Sequence, residues 1–168
     1  MTTRVFETER LRFRLFEPGD AADLERISAD QLTRRYVGDG TVLNREQCEQ
    51  WIRNSRDNVA RHGYGTGAVV LRETGALIGW AGMARPGDGT EEVIYGLDRD
   101  YWGRGLGTEL LGGLVAWARD KLALPELRAT VAMQNGASIK MLLKFDFELR
   151  DECCDGDPET HLYLRSFR

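Results

Sequence analysis

The segment of this chain whose residue types best suit chemistry is Tyr101-Trp102-Gly103-Arg104-Gly105-Leu106-Gly107-Thr108. Glycines at 103, 105 and 107 let the backbone approach a ligand closely and take conformations that a side chain forbids. Beyond them Leu106, Leu110, Leu111, Leu114, Val115 and Ala118 fall on one helical face, which predicts a helix ending near Lys121. The first N–H groups of a helix lack partners inside it. Together with the positive end of the helix dipole they form a site for an anion such as a pyrophosphate. The spacing fits neither common nucleotide loop. A P-loop needs G-x-x-x-x-G-K-[ST], and no lysine follows these glycines at that distance. The dinucleotide fingerprint needs G-x-G-x-x-G, but the third place is Thr108 or Leu110. Lys121 and Leu122 stand where its acidic residue belongs. On spacing alone, the glycines serve an anion site or merely a tight strand-to-helix turn.

Other reactive residue types carry less. His62 precedes Gly63 and reads as the last residue of a helix. Trp51 and Trp117 sit at helical spacing from apolar neighbours and are expected in the core. The three cysteines, Cys48, Cys153 and Cys154, form no C-x-x-C pair, and two are chain neighbours that cannot easily bridge. Cys153 and Cys154 fall in an acidic stretch with Asp151, Glu152, Asp155 and Asp157, expected to be exposed, where nothing favours a thiolate. No disulfide framework, metal site or cysteine nucleophile is expected.

The elements that must position the glycine segment follow from hydrophobic periodicity. Leu11, Phe13 and Leu15 alternate as a first strand. Pro18-Gly19-Asp20 turns the chain, with Asp20 the expected N-cap of a helix running to about residue 30. Asn44 and Gln47 are spaced as a capping box for a second helix, which Gly63 and Gly65 end. Three strands are expected over 68–72, 77–84 and 92–97, separated by Glu73-Thr74-Gly75 and Pro86-Gly87-Asp88-Gly89, so they should form an antiparallel meander. After the long helix come a strand over 127–132, a helix over 137–144 and a closing strand through Leu162 and Leu164. The order β α α β β β α β α β β describes a mixed α/β (α+β) domain. Its sheet should have about six or seven strands and be flanked by about four helices. It should run antiparallel early and parallel across the later β-α-β unit.

The 168 residues fit a single domain, 1–168, and 42% hydrophobic with 30% charged residues is a globular balance. A formal charge of −4 argues against nucleic-acid binding, which runs on phosphate neutralisation. Arg10, Arg12, Arg14, Arg34 and Arg35 are interleaved with acidic residues and read as a solvated mixed surface. No positively charged start leads into an apolar run, and no 18 apolar residues are consecutive; a soluble cytoplasmic protein without membrane contact is expected.

The glycine segment resembles the acetyl-CoA loop of the GCN5-related N-acetyltransferase (GNAT) superfamily, [Q/R]-x-x-G-x-[G/A], with Gly105 and Gly107 at the two small positions. Trp102 departs from the Gln/Arg position, yet Tyr101 through Glu109 is similar to the version in the ribosomal-protein N-terminal (RimJ/RimL-type) branch. Thr8-Glu9-Arg10-Leu11-Arg12-Phe13-Arg14 resembles that branch's opening strand, and Thr74 through Gly79 its central hairpin. Gln134 through Leu142 is similar to its N-x-x-S signature. Phe145-Asp146-Phe147 stands where L-G-F is usual, and Asp146 in place of glycine suggests a reshaped turn.

The resemblance implies a GNAT-type sheet, acetyl-CoA as co-substrate without metal, and direct attack of a neutral amine on the thioester. It implies cofactor contacts from Leu97, Trp102, Gly103, Arg104, Gly105, Leu106, Gly107, Thr108 and Asn135, the last reaching the pantetheine arm. Ser138 is the implied proton donor to the departing thiolate, since Leu142 occupies the place where many relatives carry a tyrosine. Glu92, with Glu91 behind it, is the expected base at the head of the 92–97 strand. Each has a plainer alternative: Asn135 and Ser138 suit a helix start, and a carboxylate pair after a turn is usually solvated. The implied acceptor is a peptide N-terminus or a small amine, recognised by residues 21–61 and 148–159, in a monomer or homodimer. The rival functions are a non-catalytic acyl-CoA sensor and a transferase for another acyl group such as succinyl.

Overall fold

The computed structural model describes residues 4–37 and 40–168. Eight strands, β1 (Arg4–Glu7), β2 (Leu11–Leu15), β3 (Thr66–Leu71), β4 (Leu77–Ala84), β5 (Glu92–Leu97), β6 (Glu126–Ala132), β7 (Glu148–Asp151) and β8 (Thr160–Ser166), form one sheet ordered β1-β2-β3-β4-β5-β6-β8-β7. Neighbours are antiparallel except β5 and β6, which are parallel because helix α4 (Leu106–Asp120) crosses between them. This is the expected mixed sheet, with one strand more than the upper count.

The remaining helices are α1 (Ala21–Ser28), α2 (Gln31–Arg34), α3 (Arg45–His62) and α5 (Gly136–Lys144). Leu24 and Ile27 of α1 and Cys48 and Ile52 of α3 cover one sheet face at Ala68, Leu77 and Trp80. On the other face α4 and Leu142 of α5 pack over Phe13, Val69, Ile78, Met83 and Leu127. Leu110, Leu111 and Leu114 are fully buried. At about 1.5–3 kcal/mol each, their burial anchors α4, and with it the helix start that follows the glycines.

Several local expectations hold. Asn44 Oδ1 accepts from the Gln47 N–H and Gln47 Oε1 from the Asn44 N–H, both at 2.9 Å. Gly63 ends α3 in the left-handed region at φ 85°.

Others are corrected. β1 is too short to show a period, and it lies on β2 through the register Phe6 to Phe13. α2 is one turn, capped by Asp30, which accepts from the Leu32 N–H at 2.9 Å. Asp20 precedes α1 but does not cap it with its side chain. The Arg14 guanidinium, the stronger electrostatic partner, takes both its oxygens at 2.8 and 2.9 Å, and the Glu17 N–H donates to it at 2.8 Å. The helix it precedes ends at Ser28. Asp146 adopts φ 65°, the left-handed conformation in which glycine is unstrained. Cys154 is buried against Leu162 and Leu164, whereas Cys153 is exposed. Among the described residues no helix is long and apolar enough to cross a membrane.

Candidate active site

The site begins where β5 and β6 part. Their ladder registers one pair, Glu92 with Arg128, and the Arg128 N–H donates to the Glu91 carbonyl at 3.1 Å. Beyond that point a cavity of about 640 Å³ opens between Val93–Leu97 on one side and residues 129–131 on the other. Its far walls come from the start of α4 and the start of α5. Two parallel strands that separate leave edge peptide groups without ladder partners, and a ligand with amide groups can take them.

The glycine segment forms one end of the cavity. A 3-10 turn, Arg99–Tyr101, leads out of β5, and Gly103 and Gly105 both take positive φ, 75° and 77°. Gly105 is the N-cap of α4, so no cap side chain covers the first N–H groups of the helix. That is the arrangement an anion needs. Gly103, Gly105, Leu106, Gly107 and Thr108 all line the cavity, and a Cβ on Gly107 would meet the Met141 side chain, its Sδ at 3.4 Å. Trp102 lies half-exposed on the wall with its indole N–H donating to the Leu97 carbonyl at 2.8 Å, so the departure from Gln/Arg ties the loop back to β5. Arg104 differs from its neighbours. Its guanidinium donates to the Asp100 carbonyl at 3.0 Å and lies over the Tyr101 ring, 5.1 Å from its centroid.

Asn135 and Ser138 stand across the cavity at the start of α5. Asn135 is the N-cap, and its Oδ1 accepts from the Ser138 N–H at 3.3 Å. The cap uses the oxygen only; the amide's two N–H donors are the part that can reach a ligand. Ser138 is therefore not the cap. Its hydroxyl lies 2.7 Å from the Tyr95 hydroxyl of β5.

Tyr95 is the residue that sequence reasoning missed. It alternates with Val93 and Leu97 and so reads as a strand aromatic facing the core. Nothing in the sequence says that a serine 43 positions later meets it. Burial raises the Tyr95 pKa above its ordinary value, against the opposing effect of the bond to Ser138. The ring keeps its proton through the neutral range.

Glu92 also borders the cavity, at the point where the strands part. Its Oε1 accepts from the Thr130 N–H at 3.1 Å and from the Thr130 hydroxyl, and its Oε2 from Arg85 at 2.8 Å. A carboxylate has about four acceptor positions, so one remains. Glu91 points away: it is buried, and its Oε1 accepts from the Tyr64 hydroxyl at 2.8 Å and the Gly87 N–H at 3.2 Å. Cys48 is on the buried face of α3, and Cys153 and Cys154 lie between β7 and β8. Among the described residues no group of three or more His, Cys, Asp or Glu could hold a metal ion.

The acetyltransferase (GNAT) domain model matches residues 10–148. The "Uncharacterized N-acetyltransferase p20" of Bacillus licheniformis is 28% identical over 143 residues, 84% of this chain and 80% of that relative. The acetyltransferase of Agrobacterium tumefaciens str. C58 has a TM-score of 0.81 at 26% identity, over 98% of this chain and 94% of its own. RimL, a ribosomal L7/L12 alpha-N-protein acetyltransferase solved in complex with coenzyme A, shares the fold at 15% identity, with a TM-score of 0.79 over 97% of each chain. The matched span runs from the edge of β2 to the first residue of β7 and contains both the glycine loop and the Tyr95–Ser138 pair, so this chain belongs to the GNAT acetyltransferase family.

Proposed function

We propose that the cleft between β5 and β6 binds acetyl-CoA and passes its acetyl group to an amine, with a peptide N-terminal α-amine the favoured acceptor. The observation that carries this is the meeting of three features in one cavity. These are an uncapped helix start behind positive-φ glycines, parted strand edges, and a hydroxyl pair at the fork. The residues present fit such a ligand: N–H groups at 105–107 suit a diphosphate, the edge of β5 and the Asn135 amide suit the pantetheine amides, and the hydroxyls suit the sulfur.

In the reaction the amine nitrogen bonds the acetyl carbon, the carbon–sulfur bond breaks, the amine gives up a proton and the thiolate takes one. Ser138 delivers a proton to the sulfur and regains one from water, to which Glu92 in turn releases the proton it takes from the amine. We take the Tyr95 O–H as donor and Ser138 Oγ as acceptor across their 2.7 Å contact, which turns the serine proton toward the cleft. Glu92 receives the amine's proton at its one open acceptor position, directly or through a water. That provision suits an amine that is already partly neutral. An α-amine of pKa about 7.8 is about one-third neutral at about pH 7.5, but a lysine-type amine only about one part in a thousand. A protein α-amine is also the acceptor in RimL's description.

The test is acetyl-CoA-dependent thiol release with N-terminal peptides, polyamines and amino acids, beside calorimetry of CoA. Release with peptides is expected, as is a Glu92→Gln loss that is larger for lysine-type amines than for α-amines. Release with polyamines alone would replace the acceptor. Tight CoA binding without release on any amine would favour a sensor or another acyl donor.

A further inference from the structure

The Thr8-Glu9-Arg10 turn between β1 and β2 lies far from the glycine loop in sequence, yet it grips the start of α4. Glu109 stands in the first turn of α4, where its carboxylate accepts from the Thr8 hydroxyl, from the Arg10 N–H at 2.8 Å and from Arg10 Nε at 2.8 Å. The same guanidinium reaches on to donate to the Arg104 carbonyl at 2.9 Å. One side chain thus joins the first helical turn to the middle of the glycine loop. Burial opposes the charge on Glu109, but the bonds from Thr8 and Arg10 outweigh it and hold its carboxyl below the usual range.

Packing supports the same juncture. A Cβ on Gly113 of α4 would fall 2.5 Å from the Phe6 ring and 3.0 Å from Thr8 Cγ2, so only glycine lets the hairpin sit this close. The turn is held from behind as well. Arg72 donates to the Thr8 carbonyl at 2.7 Å and pairs with Glu7 at 2.7 Å.

Resting on the acetyl-CoA reading of the cleft, we propose that Arg10, with Glu109 and Thr8, is a positioning clamp on the phosphate loop. It locks the Arg104–Gly105 peptide and the first turn of α4 into the conformation that presents their N–H groups to a diphosphate. It also neutralises a carboxylate that would otherwise repel that anion. The clamp touches neither the thioester nor the amine. It acts on affinity for the diphosphate end of the ligand and not on the chemical step.

The probes are CoA by calorimetry and, as paired acetyl donors, acetyl-CoA and S-acetylpantetheine, which lacks the diphosphate. In Arg10→Ala the CoA Kd and the KM for acetyl-CoA are expected to rise roughly tenfold, the equivalent of one lost charge-assisted hydrogen bond, with kcat nearly unchanged. Turnover of S-acetylpantetheine should not move, which a general loss of structure could not reproduce. Arg10→Lys, which can reach Glu109 or the Arg104 carbonyl but not both, should fall between, and it carries the test if Arg10→Ala does not fold. Glu109→Gln should also weaken CoA. If it tightens CoA instead, the carboxylate is only a repulsive charge and the clamp is wrong. Folded Arg10 variants with wild-type CoA affinity, or equal losses on both donors, would likewise overturn it. Wild-type protein that binds no CoA would overturn the acetyl-CoA reading, and the clamp with it.

Discussion

Replacing Tyr95 by Phe removes one hydroxyl, and its position 2.7 Å from Ser138 Oγ makes the consequences calculable. If Tyr95 acts only by orienting Ser138, the loss is one neutral hydrogen bond, about 0.5–1.5 kcal/mol, or about 2- to 12-fold in kcat. Ser138→Ala removes the bond to the departing thiolate itself. That bond has a charged partner and is worth about 1.5–3 kcal/mol, or about 10- to 150-fold. The double variant should then be no slower than Ser138→Ala alone, because the tyrosine has nothing left to orient.

The stabilities distinguish the two variants further. Ser138→Ala leaves the Tyr95 hydroxyl without its partner in a partly buried setting, at a cost of about 1 kcal/mol. Tyr95→Phe leaves the partly buried Ser138 hydroxyl, which lines the cleft at a helix start where water can satisfy it, so its melting temperature should change less. The N-cap of α5 survives in both, since Asn135 supplies it. Thiol release at saturating acetyl-CoA and thermal melts read all four proteins. A Tyr95→Phe loss larger than that of Ser138→Ala, or losses that multiply in the double variant, would refute the order Tyr95 to Ser138 to sulfur and make the phenol the donor.

Three further outcomes follow from the packing. Asp146→Gly should raise stability by about 0.5–1 kcal/mol, about 1–4 °C in Tm, by relieving a left-handed φ of 65°; a lower Tm would mean that the 3.9 Å pair with Arg165 outweighs the strain. Asp20→Asn should cost about 2–3 kcal/mol in a urea melt, because the largely buried Arg14 guanidinium loses its charged, bidentate partner; a change below about 0.5 kcal/mol would show that solvent replaces it. Because Tyr95 has a raised pKa, the folded state holds its proton longer than the unfolded chain does. Stability should therefore fall as pH rises above about 10, and Tyr95→Phe should flatten that alkaline decline while leaving melts between about pH 6 and 9 unchanged.

What the sequence determined by itself was local or periodic. The capping box at Asn44 and Gln47 closes over three residues, the α4 face repeats every turn, and the meander turns lie between adjacent strands, so each is decided by neighbours in the chain. The glycine loop was legible for the same reason: Gly105 and the helix behind it are one local unit. The family was legible because several such units occur in a recognisable order, while β1, with four residues, had no room to show a period.

Tertiary structure alone decided the rest. Tyr95 meets Ser138 across 43 residues, Glu92 is engaged by Thr130 across 38, and the Arg10 N–H reaches Glu109 across 99. Alternation can say which sheet face Tyr95 occupies, but not that β5 and β6 part just beyond Glu92 and let α5 bring a hydroxyl into the gap. That depends on the crossover through α4 and on where the hydrophobic faces of the sheet and helices find their closest packing, a property of the whole core that no short window of residues contains.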